Sequence, residues 1–362
     1  MTARRPSRRR IALLSTMVVA TLELHGSPLT GRQFFHVTNF DTFELELLQT
    51  QEVRLTSPTI DAGFDFNQLV VSWNVSLAPR ARLKIEVQPV FARRTGRFYT
   101  LGWWSAKDAV ELSHSVPSQS DRDAEVETDV LVLAESARKF RVRLTLIQSP
   151  TADPTILRFL GVSVLNNSTT PSATVIMPGP RGAVLPVPTR SQLDYPMGDA
   201  WCSPTSLSMV LSYWAALLDR ADLDRDVPEV AAGVDDPGWP GTGNWPFNAA
   251  YAGSFPGMRA YVTRLGDVGE LEYWIDAGVP VVASVAYSLL KGEPNQNDGH
   301  LVVVVGFDPQ GAVILNDPGT RHSVQKTVPR DQFATAWSHS HNTVYLVHPV
   351  DHAVPASPDG HW

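Results

Sequence analysis

The sequence predicts two domains, an N-terminal all-β domain of the sandwich or jelly-roll type followed by an α+β domain. The chain has 362 residues, more than the roughly 250 to 300 at which a single hydrophobic core stops growing. Short apolar runs with a period of two fill residues 34–165, whereas helical and strand patterns alternate between 187 and 350. A proline-rich stretch at 166–186 is predicted to be an extended linker between them.

The first 27 residues have the layout of an export signal. Five arginines between Arg4 and Arg10 precede an apolar run from Ile11 to Leu22. A helix of about a dozen apolar residues is too short to cross a hydrocarbon core of about 30 Å, so the pattern favours a removable signal over a transmembrane anchor. We therefore expect a secreted or extracytoplasmic protein. A basic tail on an intracellular protein is the alternative.

Residues 34–165 are predicted to form short antiparallel strands. The apolar runs are rich in Val, Ile, Phe, Tyr and Trp, and clusters of Pro, Asn, Ser and Asp separate them. The runs are NQLVVSWNVSL, ARLKIEVQPVF, RFYTLGWW, ETDVLVL and KFRVRLTLIQ. Strands without long helices between them assemble as a sandwich or jelly roll. By analogy with other sandwich modules alone, this domain is expected to bind substrate or a surface, with a cell-surface glycan as a candidate partner.

The second domain, residues 187–350, is predicted to combine helices with strands. Helical periodicity covers 204–219 and 268–277, and strand patterns follow at 280–287, 301–307, 312–316 and 343–348. The aromatic residues of GTGNWPFNAAYAG, at 241–253, fit a substrate groove and packing beneath a loop equally well. Residues 351–362 are predicted to be a tail.

Charge and composition exclude several classes of partner. The formal net charge of −7 gives no reason to expect nucleic acid, since proteins that follow phosphates carry a basic face. The acidic stretch DRADLDRDVPEV lacks the glycine and the closing glutamate of a calcium loop, and His339 and His341 have no third ligand in sight. We expect neither a metal nor another cofactor.

The only cysteine of the chain, Cys202, lies just before a predicted helix. Ser203 is expected to be its N-cap and Pro204 its first residue. The unpaired N–H groups and the macrodipole of a helix N-terminus stabilise a thiolate, which makes a nucleophile usable near neutral pH. A buried thiol that acts as a small hydrophobe is the alternative interpretation.

His300 is the best candidate for a base that serves this thiol. It precedes LVVVVGFDPQGAVILNDP, which reads as a β-hairpin with a turn at 308–311. Folding the hairpin brings Asp317 beside His300, where it can orient the imidazole. Asn316 and Asp298 are rivals for that role, because the sequence does not fix the parity of the strands. An ordinary histidine at a strand edge is the alternative for His300.

Two segments together resemble a known family of enzymes. SQLDYPMGDAWCSPTSLSMVLSYW and DGHLVVVVGFDPQGAVILNDP resemble the papain-like cysteine peptidases of the bacteriocin-leader-processing, or double-glycine, family, and in particular its stand-alone exported members. The resemblance covers about residues 187–350. It implies a papain-like fold and a catalytic triad of Cys202 as nucleophile, His300 as general base and acid, and Asp317 as orienting residue. It also implies that the side-chain amide of Gln192 joins the backbone N–H of Cys202 in the oxyanion hole.

Together these features predict an exported, cofactor-free cysteine peptidase that hydrolyses a peptide bond of a peptide or protein through a thioester at Cys202. Two alternatives remain open at this point. One is an inactive papain-like binding protein that uses its β sandwich for surface or glycan recognition. The other is an acyl transferase that forms the same thioester and passes the acyl group to an amine.

Overall fold

The computed structural model describes residues 31–49, 51–148, 153–169, 182 and 184–362. They form a largely β N-terminal domain followed by a domain of helices and strands. The predicted export signal at residues 1–27 and most of the predicted linker lie outside the described residues. Within the described ranges, no helix is long and apolar enough to cross a membrane.

The N-terminal domain contains a single hydrogen-bonded sheet of nine antiparallel strands. The strands are β1 (Arg32–Val37), β2 (Glu44–Gln49), β3 (Glu52–Thr56), β4 (Ile60–Ser76), β5 (Arg82–Val90), β6 (Tyr99–Ser105), β7 (Ala124–Glu127), β8 (Val130–Ile147) and β9 (Ile156–Leu165). The main order is β1-β9-β4-β8-β3-β2, and β8 also pairs with β5 and β7. The two long strands β4 and β8 therefore hold the domain together.

Strand β8 differs from the predicted pattern. The sequence suggested separate strands at 127–133 and 139–148, but one strand runs through both, from Val130 to Ile147. The polar stretch between them hid this continuity, because residues 134–136 stay in the strand while their side chains are exposed. Glu127 instead ends β7, and Thr128, at φ 57°, turns the chain into β8.

The C-terminal domain places helices around a six-stranded antiparallel sheet. Its helices are α1 (Cys202–Leu218), α2 (Val227–Val234), α3 (Trp245–Ser254), α4 (Val268–Asp276), α5 (Tyr287–Leu290) and α6 (Arg330–Ser338). Its strands are β10 (Met258–Arg264), β11 (Val281–Ala286), β12 (Gly299–Phe307), β13 (Val313–Asn316), β14 (Gln325–Val328) and β15 (Thr343–Pro349), in the order β10-β15-β11-β12-β13-β14.

The hairpin of β12 and β13 forms where the sequence predicts it. Asp308 organises the turn, since its side chain accepts hydrogen bonds from the backbone N–H groups of Gln310 (2.9 Å) and Ala312 (2.8 Å). Gly311 follows with φ 86°, a conformation that glycine adopts without strain. Because the strands pair antiparallel, the start of β12 and the residues after β13 meet at one end of the sheet.

The two domains share one continuous hydrophobic core. Helix α3 packs against β4, and the ring of Phe247 lies 6.1 Å from Trp73 and 5.4 Å from Trp104 between ring centroids. Phe247 and Tyr251 are buried in this interface. Phe247 and Tyr251 thus pack in the core between the domains, whereas the sequence suggested a substrate groove or packing beneath a loop.

The last residues of the chain pack against both domains. The backbone oxygen of Gly360 accepts a hydrogen bond from the N–H of Phe34 in β1 (2.7 Å). Nδ1 of His361 lies 2.7 Å from Oε1 of Glu270 in α4. The segment that the sequence predicts as a tail therefore contacts both β1 and α4, through Gly360 and His361.

Candidate active site

Cys202 is the first residue of α1, which positions its thiol at the helix N-terminus. The N-cap is Trp201, which makes no side-chain capping bond, so the prediction that Ser203 caps the helix is wrong. Ser203 lies inside the first turn, and its hydroxyl shares a hydrogen bond of 3.1 Å with that of Tyr345. The turn at 198–200 leads the chain into the helix two residues earlier than predicted. The thiol is half-buried, and its place at the helix N-terminus favours the thiolate.

His300 stands near the start of β12, in register with Val285 of β11. The residue is only 5% exposed, and Nε2 donates a hydrogen bond of 2.8 Å to Oδ1 of Asp317. The imidazole lies close enough to Cys202 for the two side chains to shift each other's pKa. The ring of Tyr287 covers the imidazole, with 4.1 Å between centroids. His300 is thus held by Asp317 on one edge and by Tyr287 on one face.

The carboxylate of Asp317 is fully buried and held at both oxygens. Oδ1 accepts from His300 and from the backbone N–H of Gly319, the latter at 2.8 Å. Oδ2 accepts from Nζ of Lys326 in β14 at 2.7 Å. Sequence reasoning missed Lys326, because β14 has only four residues and its QKTV pattern carries little signal.

The two rivals of Asp317 lie elsewhere. The amide of Asn316 donates to the backbone oxygen of Val187 (3.3 Å). Asp298 accepts hydrogen bonds from the N–H and the hydroxyl of Ser288 at the start of α5. Among the described residues, neither makes a hydrogen bond with the imidazole of His300. Asp317 is therefore the residue that orients this ring.

The electrostatics of the site favour an ion pair between sulfur and imidazole. Burial opposes ionisation of the Cys202 thiol, but the hydrogen bond and charge of His300 outweigh it and lower the pKa below its ordinary value of 9.0. Burial also disfavours a charged His300, yet Asp317 and the thiolate raise its pKa to about 9. Against the effect of burial, His300 and Lys326 hold the pKa of Asp317 well below its usual range.

Gln192 lies between the cysteine loop and the aspartate loop. Its backbone N–H donates to the oxygen of Pro318 (3.0 Å), and its Nε2 donates to the oxygen of Asp199 (2.9 Å). Its side chain is buried, and Oε1 has no hydrogen-bond partner among the described residues. Gly198 permits this arrangement, since a Cβ there would stand 1.7 Å from the backbone oxygen of Gln192. One N–H of the Gln192 amide remains available to a ligand.

The backbone next to His300 borders open space. Gly299 is exposed, and a Cβ built on it would meet nothing within 4 Å. On the other side, the hydroxyl of Thr242 donates to the oxygen of Ala200 (2.9 Å), which ties the segment 236–244 to the cysteine loop. Trp239 of that segment is 46% exposed.

The described residues bring together no group of three or more His, Cys, Asp or Glu side chains that could hold a metal ion.

Comparison with protein families identifies both regions of the chain. Residues 184–345 match the peptidase C39-like family, and residues 36–164 match the peptidase C39 N-terminal domain. A solved structure described as a C39-like peptidase of Bacillus anthracis is 21% identical, covers 46% of this chain and 96% of its own, and has a TM-score of 0.36.

Curated relatives match over a shorter stretch. Uncharacterized proteins of Mycobacterium tuberculosis and Mycobacterium bovis are each 31% identical over 81 residues, or 20% of this chain and 35% of the relative. The matched part of the chain thus spans about a third of the length of these relatives. The family models confirm the resemblance to the double-glycine peptidases: the chain belongs to the peptidase C39-like family, with a C39 N-terminal domain ahead of its C39-like domain.

Proposed function

We propose that the protein is an exported cysteine peptidase that hydrolyses a peptide bond through a thioester on Cys202. Membership of the C39-like family supports peptidase activity on peptides or proteins. The observation that carries the assignment to particular residues is the buried His300, which is hydrogen-bonded to Asp317 through Nε2 and lies close enough to Cys202 for the two side chains to shift each other's pKa. A nucleophile, a base and an orienting group in this order are what covalent acyl transfer requires.

The reaction begins with attack of the Cys202 thiolate on the carbonyl carbon of the scissile bond. The oxyanion that forms accepts hydrogen bonds from the backbone N–H of Cys202 and the free N–H of Gln192. When the tetrahedral intermediate collapses, the C–N bond breaks and Nδ1–H of His300 protonates the leaving amine. The acyl group remains on the sulfur as a thioester.

Hydrolysis of the thioester completes the cycle. Neutral His300 takes a proton from a water molecule through Nδ1, and the oxygen of that water attacks the acyl carbon. Collapse of the second intermediate releases the carboxylic acid and returns the thiolate beside the imidazolium. Transfer to an amine in place of water would follow the same path, so the identity of the product distinguishes a hydrolase from an acyl transferase.

The finer fold and the cellular location are part of the same proposal. We assign a sandwich-type fold to the N-terminal domain and a papain-like fold to the C-terminal one, in which a helix carries the thiol and a sheet carries the imidazole. The arginines and apolar run of residues 1–27 support export.

The N-terminal domain is proposed to recognise substrate or a surface glycan. Binding of the Cys202→Ala protein to isolated cell walls tests this role.

Peptide cleavage read by mass spectrometry tests the proposed activity. The purified chain is incubated with a diverse peptide library beside Cys202→Ala and Ser206→Ala, a control that alters a buried serine of the same helix. We expect new peptide termini with the wild type and the control, and none with Cys202→Ala. The thermal midpoint of Cys202→Ala should stay close to that of the wild type. Absence of cleavage by a folded wild-type protein under varied conditions would contradict the proposal.

Thiol alkylation separates the peptidase from an inactive binding protein. Because the pKa of Cys202 is lowered, iodoacetamide should modify it well below pH 8. In His300→Gln the interactions with His300 that lower the pKa are lost while the burial that raises it remains, so alkylation should require a higher pH. A wild-type thiol that stays inert in the native protein up to pH 9 would favour the binding protein.

A further inference from the structure

A pocket separate from the site around Cys202 lies at the interface between the two domains. Its volume is about 150 Å³. Phe34, His36 and Phe159 line it from the N-terminal domain, Arg259, Tyr261 and His348 line it from the C-terminal domain, and the segment 354–362 closes one side. His36 and Val354 are exposed, so the pocket opens to solvent.

Arg259 places an uncompensated positive charge in this pocket. Among the described residues its side chain makes no ion pair and no hydrogen bond, and its Nε is buried without a partner. Its guanidinium carbon stands 5.0 Å from the ring centroid of Phe159. None of the residues that line the pocket is acidic. Arg259 is partly buried, and burial of a cation without a counter-charge is unfavourable, so an anion in the pocket would stabilise the guanidinium.

His348 adds a second unused polar group. It is only 3% exposed, and its Nδ1 donates a hydrogen bond to the backbone oxygen of Pro349 (2.7 Å). Its Nε2 is buried and has no partner among the described residues. Burial, together with the charge of Arg259, lowers the pKa of His348 to about 4. An anion beside Arg259 would relieve that repulsion. Nε2 could then carry a proton and donate a hydrogen bond to the anion.

The other walls of the pocket are aromatic. The rings of Phe34 and Tyr261 stack with 4.8 Å between centroids, and Phe159 lies 5.5 Å from Tyr261. These rings favour a flat apolar body, and cavities of about 150 Å³ hold molecules of the size of benzene. Inorganic phosphate could pair with Arg259, but it would leave the aromatic walls without an apolar contact.

We propose that this pocket binds a small carboxylate with a flat apolar body. The carboxylate pairs with Arg259 and accepts a hydrogen bond from His348, while the body packs against Phe34 and Phe159. Since the walls come from both domains, such a ligand bridges them. The proposal is independent of the chemistry at Cys202.

Isothermal titration calorimetry with benzoate as the probe tests the proposal on the full chain carrying Cys202→Ala. We expect saturable one-site binding, weakened at least about tenfold by Arg259→Met, which keeps an apolar side chain over Phe159. Arg138→Met removes the same charge from an exposed site, where Arg138 pairs with Asp61, and should leave binding unchanged. Benzyl alcohol, which lacks the charge, and inorganic phosphate, which lacks the ring, should bind more weakly than benzoate.

The ring signals of His348 provide a second readout. They are assigned by comparison with His348→Gln in carbon–proton correlation spectra, and benzoate should shift them along the same saturation curve. No saturable effect in the folded protein would overturn the site. Tighter binding of phosphate than of benzoate would overturn the ligand class, and binding that survives Arg259→Met would overturn the role of the arginine. Because no step measures peptide cleavage, these outcomes leave the proposed peptidase activity untouched.

Discussion

Nε2 of His300 lies 2.8 Å from Oδ1 of Asp317, although 17 positions separate the two residues in the sequence. The hairpin of β12 and β13 brings them together. Lys326 and the N–H of Gly319 hold the same carboxylate, so Asp317 cannot rotate without losing a hydrogen bond. The imidazole is therefore fixed through Nε2, close enough to Cys202 to lower the pKa of the thiol.

Asp317→Asn should move the alkaline limb of the activity profile. The amide can still accept a hydrogen bond from His300, but it lacks the negative charge that helps to raise the pKa of His300 to about 9. A lower pKa means that the imidazolium loses its proton at lower pH, so kcat/KM should decline well below pH 9. At pH 7 we expect kcat/KM to fall about tenfold to a hundredfold.

Rates measured between pH 5 and pH 10 check this result, with Asp308→Asn, in the turn of the same hairpin, as the control. An alkaline limb that stays near pH 9 in Asp317→Asn would mean that another group controls the charge of His300.

Lys326→Met should lower kcat and leave KM nearly unchanged. Lys326 touches Asp317 and not the sulfur or the imidazole, so it acts as a positioning residue. Without it Oδ2 loses a charge-assisted hydrogen bond of the kind worth about 1.5 to 3 kcal/mol, and the carboxylate gains freedom. We expect kcat to fall about threefold to thirtyfold.

Lys326→Arg, which retains a charged donor, should recover part of this loss, and Lys139→Met on an exposed part of β8 should have no effect. Separate measurement of kcat and KM, together with the thermal midpoint, distinguishes positioning from loss of stability. A Lys326→Met enzyme with the wild-type kcat would mean that Lys326 is not needed to position Asp317 for catalysis.

Gln192→Ala should reduce kcat by about a hundredfold to a thousandfold, the usual effect of removing one donor from an oxyanion hole. The oxyanion exists only in the intermediates and the transition states that lead to them, so KM should change little. Because Nε2 of Gln192 also donates to the oxygen of Asp199, the substitution can loosen the cysteine loop. Gln192→Glu, which keeps the size of the side chain but replaces the donor with an acceptor, tests the donor itself. Full activity in Gln192→Glu would exclude the side chain of Gln192 as a hydrogen-bond donor to the oxyanion.

The parts of the site that the sequence predicts are those that local patterns determine. A lone cysteine before an apolar helical stripe and a hairpin with Asp308 and Gly311 in its turn are local signals, and the structure has a helix and a hairpin at these positions. Lys326 could not be predicted in the same way, since its contact with Asp317 depends on the pairing of the four-residue strand β14 with β13.

The relation between the domains is also absent from the sequence pattern. The proline-rich stretch at 166–186 suggested two units on a linker, but nothing local indicates that Asn74 pairs with the backbone of Ala260, 186 positions away. Likewise, the period-two pattern broke at 134–138 although β8 continues through it. Each of these features depends on pairing between residues that are far apart in the sequence. Local sequence patterns do not reveal such pairing.

Phe247→Ala should destabilise both domains together. Phe247 is fully buried between Trp73 and Trp104, so truncation leaves a cavity in the shared core. Such substitutions typically cost about 3 to 5 kcal/mol. Urea unfolding followed by tryptophan fluorescence and circular dichroism should give one transition with a lower midpoint, because the aromatic cluster joins β4 and β6 to α3. Val110→Ala, at a side chain that is 97% exposed, should stay within about 0.5 kcal/mol of the wild type. Two separate transitions, of which only one responds to Phe247→Ala, would mean that the domains fold independently and that the shared core contributes little to their stability.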